Sequence, residues 1–81
     1  MLIALDYDGT YTADPDLWDS FIAKAQSNGH EVKIVTMRFP SEPIENAPVE
    51  VIYTSRKAKY NAIPAQIWID DTPQFLFQDA K

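Results

Sequence analysis

A short apolar stretch near the N-terminus, LIALD at residues 2–6, limits the fold more than any other part of this 81-residue chain. Its first four residues are all apolar, so a strand formed there has no polar face. Such a strand is stable when it is covered on both sides, as in the parallel sheets of α/β proteins. The stretch therefore predicts a buried strand in an α/β fold.

Residues 13–29 carry the pattern of an amphipathic helix that follows this strand. Asp14 is the expected N-cap, Pro15 the first helical residue and Gly29 the stop signal. The pattern predicts a helix face that packs on the sheet. The apolar residues of this face recur at helical spacing and are Leu17, Trp18, Phe21, Ile22 and Ala25.

Three further apolar stretches, at residues 31–37, 49–55 and 66–70, predict three more strands. The proline-rich segment 38–48 is expected to be an irregular loop, and residues 56–63 a short helix or turn that ends at Pro64. A last helix is expected to begin at Thr72 and Pro73. This order predicts one domain, residues 1–81, with a three-layer Rossmann-like α/β fold and a small, mainly parallel sheet.

Polar side chains follow all four predicted strands, and the carboxyl ends of parallel strands meet at one edge of a sheet. Four carboxylates are therefore expected to converge there, although each close pair costs several kcal/mol at an effective dielectric constant of about 20. The groups at this edge are Asp6 and Asp8, Thr36, the segment of Lys57 and Lys59, and Asp70 and Asp71.

A cation is needed to neutralise such a cluster. The chain has no cysteine and one histidine, which favours oxygen-bound Mg²⁺ over zinc. A metal ion at this edge would also attract a phosphate group. The simpler interpretation is that Asp-Gly forms an ordinary turn and that Asp-Thr-Pro only caps a helix. Two such motifs, each ending an apolar strand at opposite ends of the chain, favour a shared site.

LDYDGT at residues 5–10 resembles the first motif of the haloacid dehalogenase (HAD) superfamily of phosphohydrolases, in which D-x-D-G-T follows a strand. KIVTMR with Thr36 resembles the second motif, a lysine forms the third, and IWIDD at residues 67–71 resembles the fourth. The position of the acidic pair after the lysines differs from phosphoacceptor receiver domains. An EF-hand would carry its glycine two positions later.

The resemblance implies a phosphatase in which Asp6 is the nucleophile and forms an aspartyl-phosphate. Asp8 is then the general acid and base, a role that calls for a raised pKa. Mg²⁺ is then held by the Asp6 carboxylate, the backbone carbonyl of Asp8 and the side chain of Asp70, with Asp71 binding directly or through water. The intact D-x-D points to phosphate esters as substrates.

The same resemblance implies a set of groups that bind the phosphate. Gly9 permits a sharp turn that aims the N–H groups of Tyr7 and Asp8 at phosphate oxygens, and Thr10 belongs to the same turn. Thr36 is expected to donate its hydroxyl.

Two lysines and an arginine are further candidates for binding the substrate. Lys59 is favoured over Lys57 for the phosphate because Lys59 lies nearer to IWIDD in the chain. Arg38, two residues beyond Thr36, is expected to reach a phosphate or a second anionic group of the substrate.

The gaps after the first motif and after the second strand are too short for the cap domain that many superfamily members insert. A capless, open site suits a small phosphorylated molecule covered by a second subunit, or a phosphate at a nucleic-acid or protein terminus. The net charge of −5 argues against nucleic acid.

No apolar segment predicts a membrane span or signal peptide, so we expect a cytoplasmic protein without a membrane partner. Two alternatives remain open beside the phosphatase. One is a catalytically weak HAD-like module that binds phosphate or regulates a partner. The other is a structural domain whose acidic rim binds a cation.

Overall fold

The four predicted strands form one parallel sheet in a computed structural model that describes residues 1–81. The strands are β1 (Leu2–Leu5), β2 (Glu31–Thr36), β3 (Val51–Tyr53) and β4 (Ile67–Ile69), in the spatial order β3-β2-β1-β4. All three neighbouring pairs are parallel. The predicted α/β class and the parallel sheet are confirmed.

Strand β1 lies between β2 and β4 and is the most buried part of the sheet. Ile3, Ala4 and Leu5 are 4%, 1% and 0% exposed. This burial explains why the stretch carries no polar side chain on either face. The expectation of a buried strand at the N-terminus is therefore confirmed.

Helix α1 (Pro15–Ser27) joins β1 to β2 and packs against the sheet. The Asp14 carboxylate accepts a hydrogen bond from the N–H of Leu17, as an N-cap should. Ile22 and Ala25 are buried in the core with apolar residues of β1 and β2. The predicted sheet-facing side of the helix was wrong at one position, because Leu17 is 53% exposed.

The predicted short helix or turn at residues 56–63 consists of turns. Ser55 and Arg56 have φ values of 54° and 71°, which place both residues in the left-handed region and prevent a right-handed helix from starting there. The N–H groups of Lys59 and Tyr60 donate to the carbonyls of Phe75 and Leu76. This segment is therefore held by the C-terminal part of the chain.

The predicted C-terminal helix is also shorter than expected, a single 3₁₀ turn at Pro73–Leu76. Its carbonyl groups are partly engaged by the segment at residues 59–60, so the turn does not continue as an α-helix. Residues 38–48 form an irregular loop, as predicted, in which Ile44 is buried. The fold thus contains one α-helix, and no helix in it is long and apolar enough to cross a membrane.

Candidate functional site

The pairing of β1 with β4 brings two acidic side chains together. Leu5 is in register with Ile69, so the next residue of each strand, Asp6 and Asp70, emerges at the same edge of the sheet. The N–H of Asp6 donates to the carbonyl of Ile69 at 2.9 Å, which fixes this alignment. Carboxylate oxygens of Asp6, Asp70 and Asp71 lie within 4.8 Å of one another. The acidic groups therefore converge.

Lys59 lies at the centre of this acidic cluster. Its Nζ is 2.6 Å from Asp6 Oδ1 and 2.7 Å from Asp70 Oδ2, and the residue is 4% exposed. Lys57 instead has a side chain that is 75% exposed and is paired with Asp79 at 3.7 Å. Of the two candidate lysines, only Lys59 reaches the cluster.

The cluster holds three carboxyl groups and one ammonium group, which contacts Asp6 and Asp70. When all three carboxyl groups are ionised, two negative charges are uncompensated, which is the charge of one divalent cation. Every donor in the set is a carboxylate oxygen, the ligand type that Mg²⁺ prefers. The residues therefore fit a hard divalent cation in both charge and chemistry.

Burial has a measurable effect on Asp6, which is 8% exposed. Desolvation raises the pKa of Asp6 from 3.8 to about 6, with a smaller contribution from the charge of Asp70, although Lys59 acts in the opposite direction. In the metal-free protein, Asp6 therefore keeps its proton to a higher pH than a free aspartate does, and it ionises around pH 6.

We expect this shift to appear in the pH dependence of stability. Because the folded state holds the Asp6 proton more tightly than the unfolded chain, the contribution of Asp6 to stability is complete below pH 3.8 and is lost as pH rises through about 6. Urea unfolding in EDTA should show Asp6→Asn gaining roughly 2 to 3 kcal/mol on the wild type between pH 4 and 7. A difference that stays constant with pH would contradict the shift.

Asp8 does not have the environment expected of a general acid. Its side chain is 56% exposed, and both carboxylate oxygens accept hydrogen bonds from Arg38, at 2.8 and 2.9 Å. The hydrogen bonds from Arg38 lower the pKa of Asp8, against a smaller opposing effect of burial. The expectation of a raised pKa was wrong, because an arginine, rather than acidic neighbours, surrounds this carboxylate.

Thr10 lies within the acidic cluster. It is 6% exposed, and its hydroxyl is 2.9 Å from Asp6 Oδ2 and 3.1 Å from Asp71 Oδ1. The same hydroxyl accepts a hydrogen bond from the N–H of Asp71 at 3.2 Å. Thr10 therefore holds two carboxylates in place. The pKa of Asp71 is lowered by hydrogen bonding, first to Asp6 and then to Thr10 and Thr72.

A cavity of about 120 Å³ opens beside the cluster. Thr36 is 2% exposed there and accepts a hydrogen bond from the N–H of Arg38. The cavity includes two residues that the motifs did not indicate, Thr72 and Phe75. Its full lining is Asp6, Asp8, Thr36, Met37, Lys59, Asp70, Thr72 and Phe75.

The sequence contained a signal that Thr72 lies at the site, but it contained none for Phe75. The N–H of Thr72 donates to Asp70 Oδ1, so the residue does more than open the C-terminal turn. The acidic pair that directly precedes Thr72 was the available signal. Phe75 had no such signal, because its place depends on the hydrogen bond between its carbonyl and the N–H of Lys59.

Tyr7 packs outside the cavity. Its ring stacks on Tyr11 with a centroid distance of 5.6 Å, and the Arg38 guanidinium lies 5.2 Å from the ring centroid. Tyr11 and Arg38 hold the Tyr7 side chain, which is not part of the cavity lining.

Gly9 allows the close approach of Asp71. Its φ of 89° is unfavourable for other residues, and a Cβ added there would lie 2.5 Å from Asp71 Oδ2. Gly29 has a similar φ of 83° but no atom within 4 Å of an added Cβ. A side chain at either glycine therefore meets the cost of the backbone conformation, but only a side chain at Gly9 also meets the cost of the contact with Asp71.

We expect Gly9→Ala to destabilise the protein by about 2 to 4 kcal/mol and Gly29→Ala by about 1 to 2 kcal/mol, the range for a left-handed residue with a side chain. Urea unfolding of both variants in EDTA measures this difference. Equal losses would mean that Asp71 moves away from Gly9 without cost.

No protein-family model matches this chain, and comparisons with curated proteins and with solved structures found no significant match. The function of the chain must therefore be inferred from its own side chains. The cluster of Asp6, Lys59, Asp70 and Asp71 is the feature from which that inference starts.

Proposed function

We propose that this protein is a Mg²⁺-dependent phosphatase of the HAD type that hydrolyses phosphate monoesters through an aspartyl-phosphate. The observation that carries the proposal is the convergence of Asp6, Asp70 and Asp71, with the buried ammonium group of Lys59 bound to the first two. This cluster lies beyond the carboxyl ends of two parallel strands, where α/β proteins bind their ligands. Its four members come from three separate HAD-like motifs.

We also propose a more specific fold than the general α/β class. A three-layer Rossmann-like HAD fold without a cap domain is supported by the parallel order β3-β2-β1-β4, in which the first motif follows the strand between β2 and β4. Helix α1 supplies one outer layer. The turns at residues 56–63 and the C-terminal 3₁₀ turn take the place of helices elsewhere.

Mg²⁺ would be held by the carboxylates of Asp6 and Asp70, the backbone carbonyl of Asp8, and Asp71 directly or through water. When bound, the ion shields the negative charges of nucleophile and phosphate from each other. The charge balance of the cluster supports this assignment, since two negative charges lack a partner.

In the first chemical step, a carboxylate oxygen of Asp6 attacks phosphorus while the bond from phosphorus to the leaving oxygen breaks. The bonding electron pair stays on the leaving oxygen, which takes a proton from the carboxyl group of Asp8. The products of this step are a free alcohol and an aspartyl-phosphate on Asp6.

In the second step, water attacks phosphorus and gives one proton to the carboxylate of Asp8. The bond from phosphorus to Asp6 breaks, which restores the Asp6 carboxylate and releases inorganic phosphate. Asp8 thereby regains the proton that it gave to the alcohol. The two steps together consume the phosphate ester and one water molecule, and they release the alcohol and inorganic phosphate.

The remaining groups of the site orient the phosphate. Lys59 keeps Asp6 in place and offers positive charge to the phosphate, and Thr36 lies on the wall of the same cavity. The N–H groups of Tyr7 and Asp8 complete the set, and the positive φ of Gly9 permits their turn.

The substrate is a phosphate ester on a small molecule or on a nucleic-acid or protein terminus, because the Asp8 side of the site is open to solvent. A second copy of the chain acting as a lid would exclude water from a small substrate. We further propose a cytoplasmic location.

A direct test is hydrolysis of p-nitrophenyl phosphate by the purified protein with Mg²⁺. We expect activity to fall at least about tenfold in EDTA and to return when Mg²⁺ is added in excess, because the ion offsets the charge repulsion during attack. Activity that is unchanged by EDTA would refute a metal-dependent mechanism. The Asp6→Asn variant carried through the same purification controls for a contaminating phosphatase.

A catalytically weak HAD-like module that binds phosphate or regulates a partner is the second candidate. It is favoured by the Arg38–Asp8 contact, which occupies both oxygens of the proposed general acid. This alternative predicts that beryllofluoride with Mg²⁺ raises the melting temperature although no ester is hydrolysed. Asp6-dependent turnover of a monoester at about 1 s⁻¹ or faster, an ordinary enzymatic rate, would exclude it.

A further inference from the structure

We infer that the Arg38–Asp8 contact selects substrates that carry a second anionic group in addition to the phosphoryl group that is removed. This inference rests on the proposed phosphatase function and names the substrate class of the same site. The second anion is a carboxylate or a phosphate, which present similar paired oxygens to an arginine.

The geometry of the contact is that of a two-point fork. Arg38 Nε lies 2.9 Å from Asp8 Oδ2, and a terminal nitrogen lies 2.8 Å from Asp8 Oδ1. The other terminal nitrogen donates to the carbonyl of Glu42 at 3.3 Å, and the Tyr7 ring lies against the guanidinium. Arg38 is thus held flat at the rim, with its fork directed at Asp8.

The fork keeps Asp8 from acting as an acid. Both carboxylate oxygens accept charge-assisted hydrogen bonds from Arg38, so a substrate atom cannot contact either oxygen in the same way without displacing one of these bonds. Asp8 can act only when Arg38 turns away from it. A competing anion on the substrate offers Arg38 an equivalent partner and leaves Asp8 free.

The position of Arg38 makes such an exchange feasible. Its side chain is 30% exposed, in contrast to Lys59, whose side chain is 5% exposed at the cluster. Lys59 therefore serves the phosphoryl group that reacts, while Arg38 at the rim serves a group farther along the substrate. One buried cation, Lys59, and one cation at the rim, Arg38, thus suit a substrate that carries two anionic groups.

Three matched esters test this inference: 3-hydroxypropyl phosphate, 3-carboxypropyl phosphate and propane-1,3-diyl bisphosphate. We expect the wild type to favour one or both of the last two over the first by about tenfold in kcat/KM, equivalent to about 1.4 kcal/mol. The carboxylate and the bisphosphate distinguish the two sources of the second anion.

Arg38→Met should reduce this preference to about one, and Arg38→Lys, which keeps the charge but lacks the fork, should retain only part of it. Arg56→Met is the matched control, because Arg56 contacts Met37 and Glu42 of the same loop but not Asp8. It should retain the full preference. Melting curves show whether each variant is folded.

These experiments distinguish failure of the role proposed for Arg38 from failure of the proposed phosphatase function. A wild type that hydrolyses all three esters equally, or a preference that survives Arg38→Met, overturns the role of Arg38 but not the phosphatase. A wild type that hydrolyses neither these esters nor p-nitrophenyl phosphate in Mg²⁺ overturns the phosphatase and the substrate class together.

Discussion

Replacing Asp6 by Asn is expected to lower the hydrolysis of phosphate monoesters by roughly 10⁴-fold or more, as removal of a covalent nucleophile does in other enzymes. The amide has nearly the shape of the carboxylate but carries no charge and is a poor nucleophile. An asparagine oxygen can still accept the hydrogen bond that Lys59 gives to Asp6 Oδ1. The loss should therefore be chemical and not structural.

The measurement is kcat with p-nitrophenyl phosphate under saturating Mg²⁺. Asp14→Asn is the matched control, since it makes the same chemical change at the N-cap of α1, where asparagine is as favourable as aspartate. It should retain wild-type activity. If Asp6→Asn kept more than about a hundredth of the activity, Asp6 would not be the nucleophile.

Replacing Lys59 by Met is expected to destabilise the metal-free protein by about 3 to 5 kcal/mol, the usual cost of removing one partner from a buried ion pair. The ammonium group of Lys59 bonds to Asp6 and Asp70, whose side chains are 8% and 4% exposed. Without Lys59, these carboxylates face each other with no positive charge between them. Chemical denaturation at pH 7 in EDTA measures the loss.

Lys57→Met provides the control, because Lys57 lies two residues away and is largely exposed. It should change the free energy of unfolding by at most about 0.5 kcal/mol. Mg²⁺ should restore more stability to Lys59→Met than to the wild type, since the ion replaces part of the missing positive charge. Similar stabilities for the two variants would show that water already screens the cluster.

Much of the fold could be predicted because it depends on patterns within single elements. The apolar stretch at residues 2–5, the Asp14 cap and the Gly29 stop are local signals, and β1 and α1 form where they indicate. The missing helices could not be predicted in the same way. The segment at residues 59–60 bonds to residues 75–76, a tertiary contact that no local pattern contains.

In the candidate site, too, the features that follow from the strands could be predicted, and those that depend on tertiary contacts could not. Parallel strands fix the position of Asp6 beside Asp70, so their proximity follows from strand order alone. The environment of Asp8 depends instead on the path of the loop that carries Arg38. The contact of the Thr10 hydroxyl with Asp71 likewise joins residues sixty-one positions apart, so no local pattern contains it.

The pairing of β1 with β4 joins the first strand of the chain to the last, across more than sixty residues. A nascent chain that has not yet emerged as far as residue 70 contains Asp6 but lacks both of its acidic partners. Such a chain has no acidic cluster. Since β4 is also an edge strand, its local detachment would dismantle the centre while β1, β2 and α1 stay folded. Formation of the acidic cluster thus depends on the pairing of the last strand with the first.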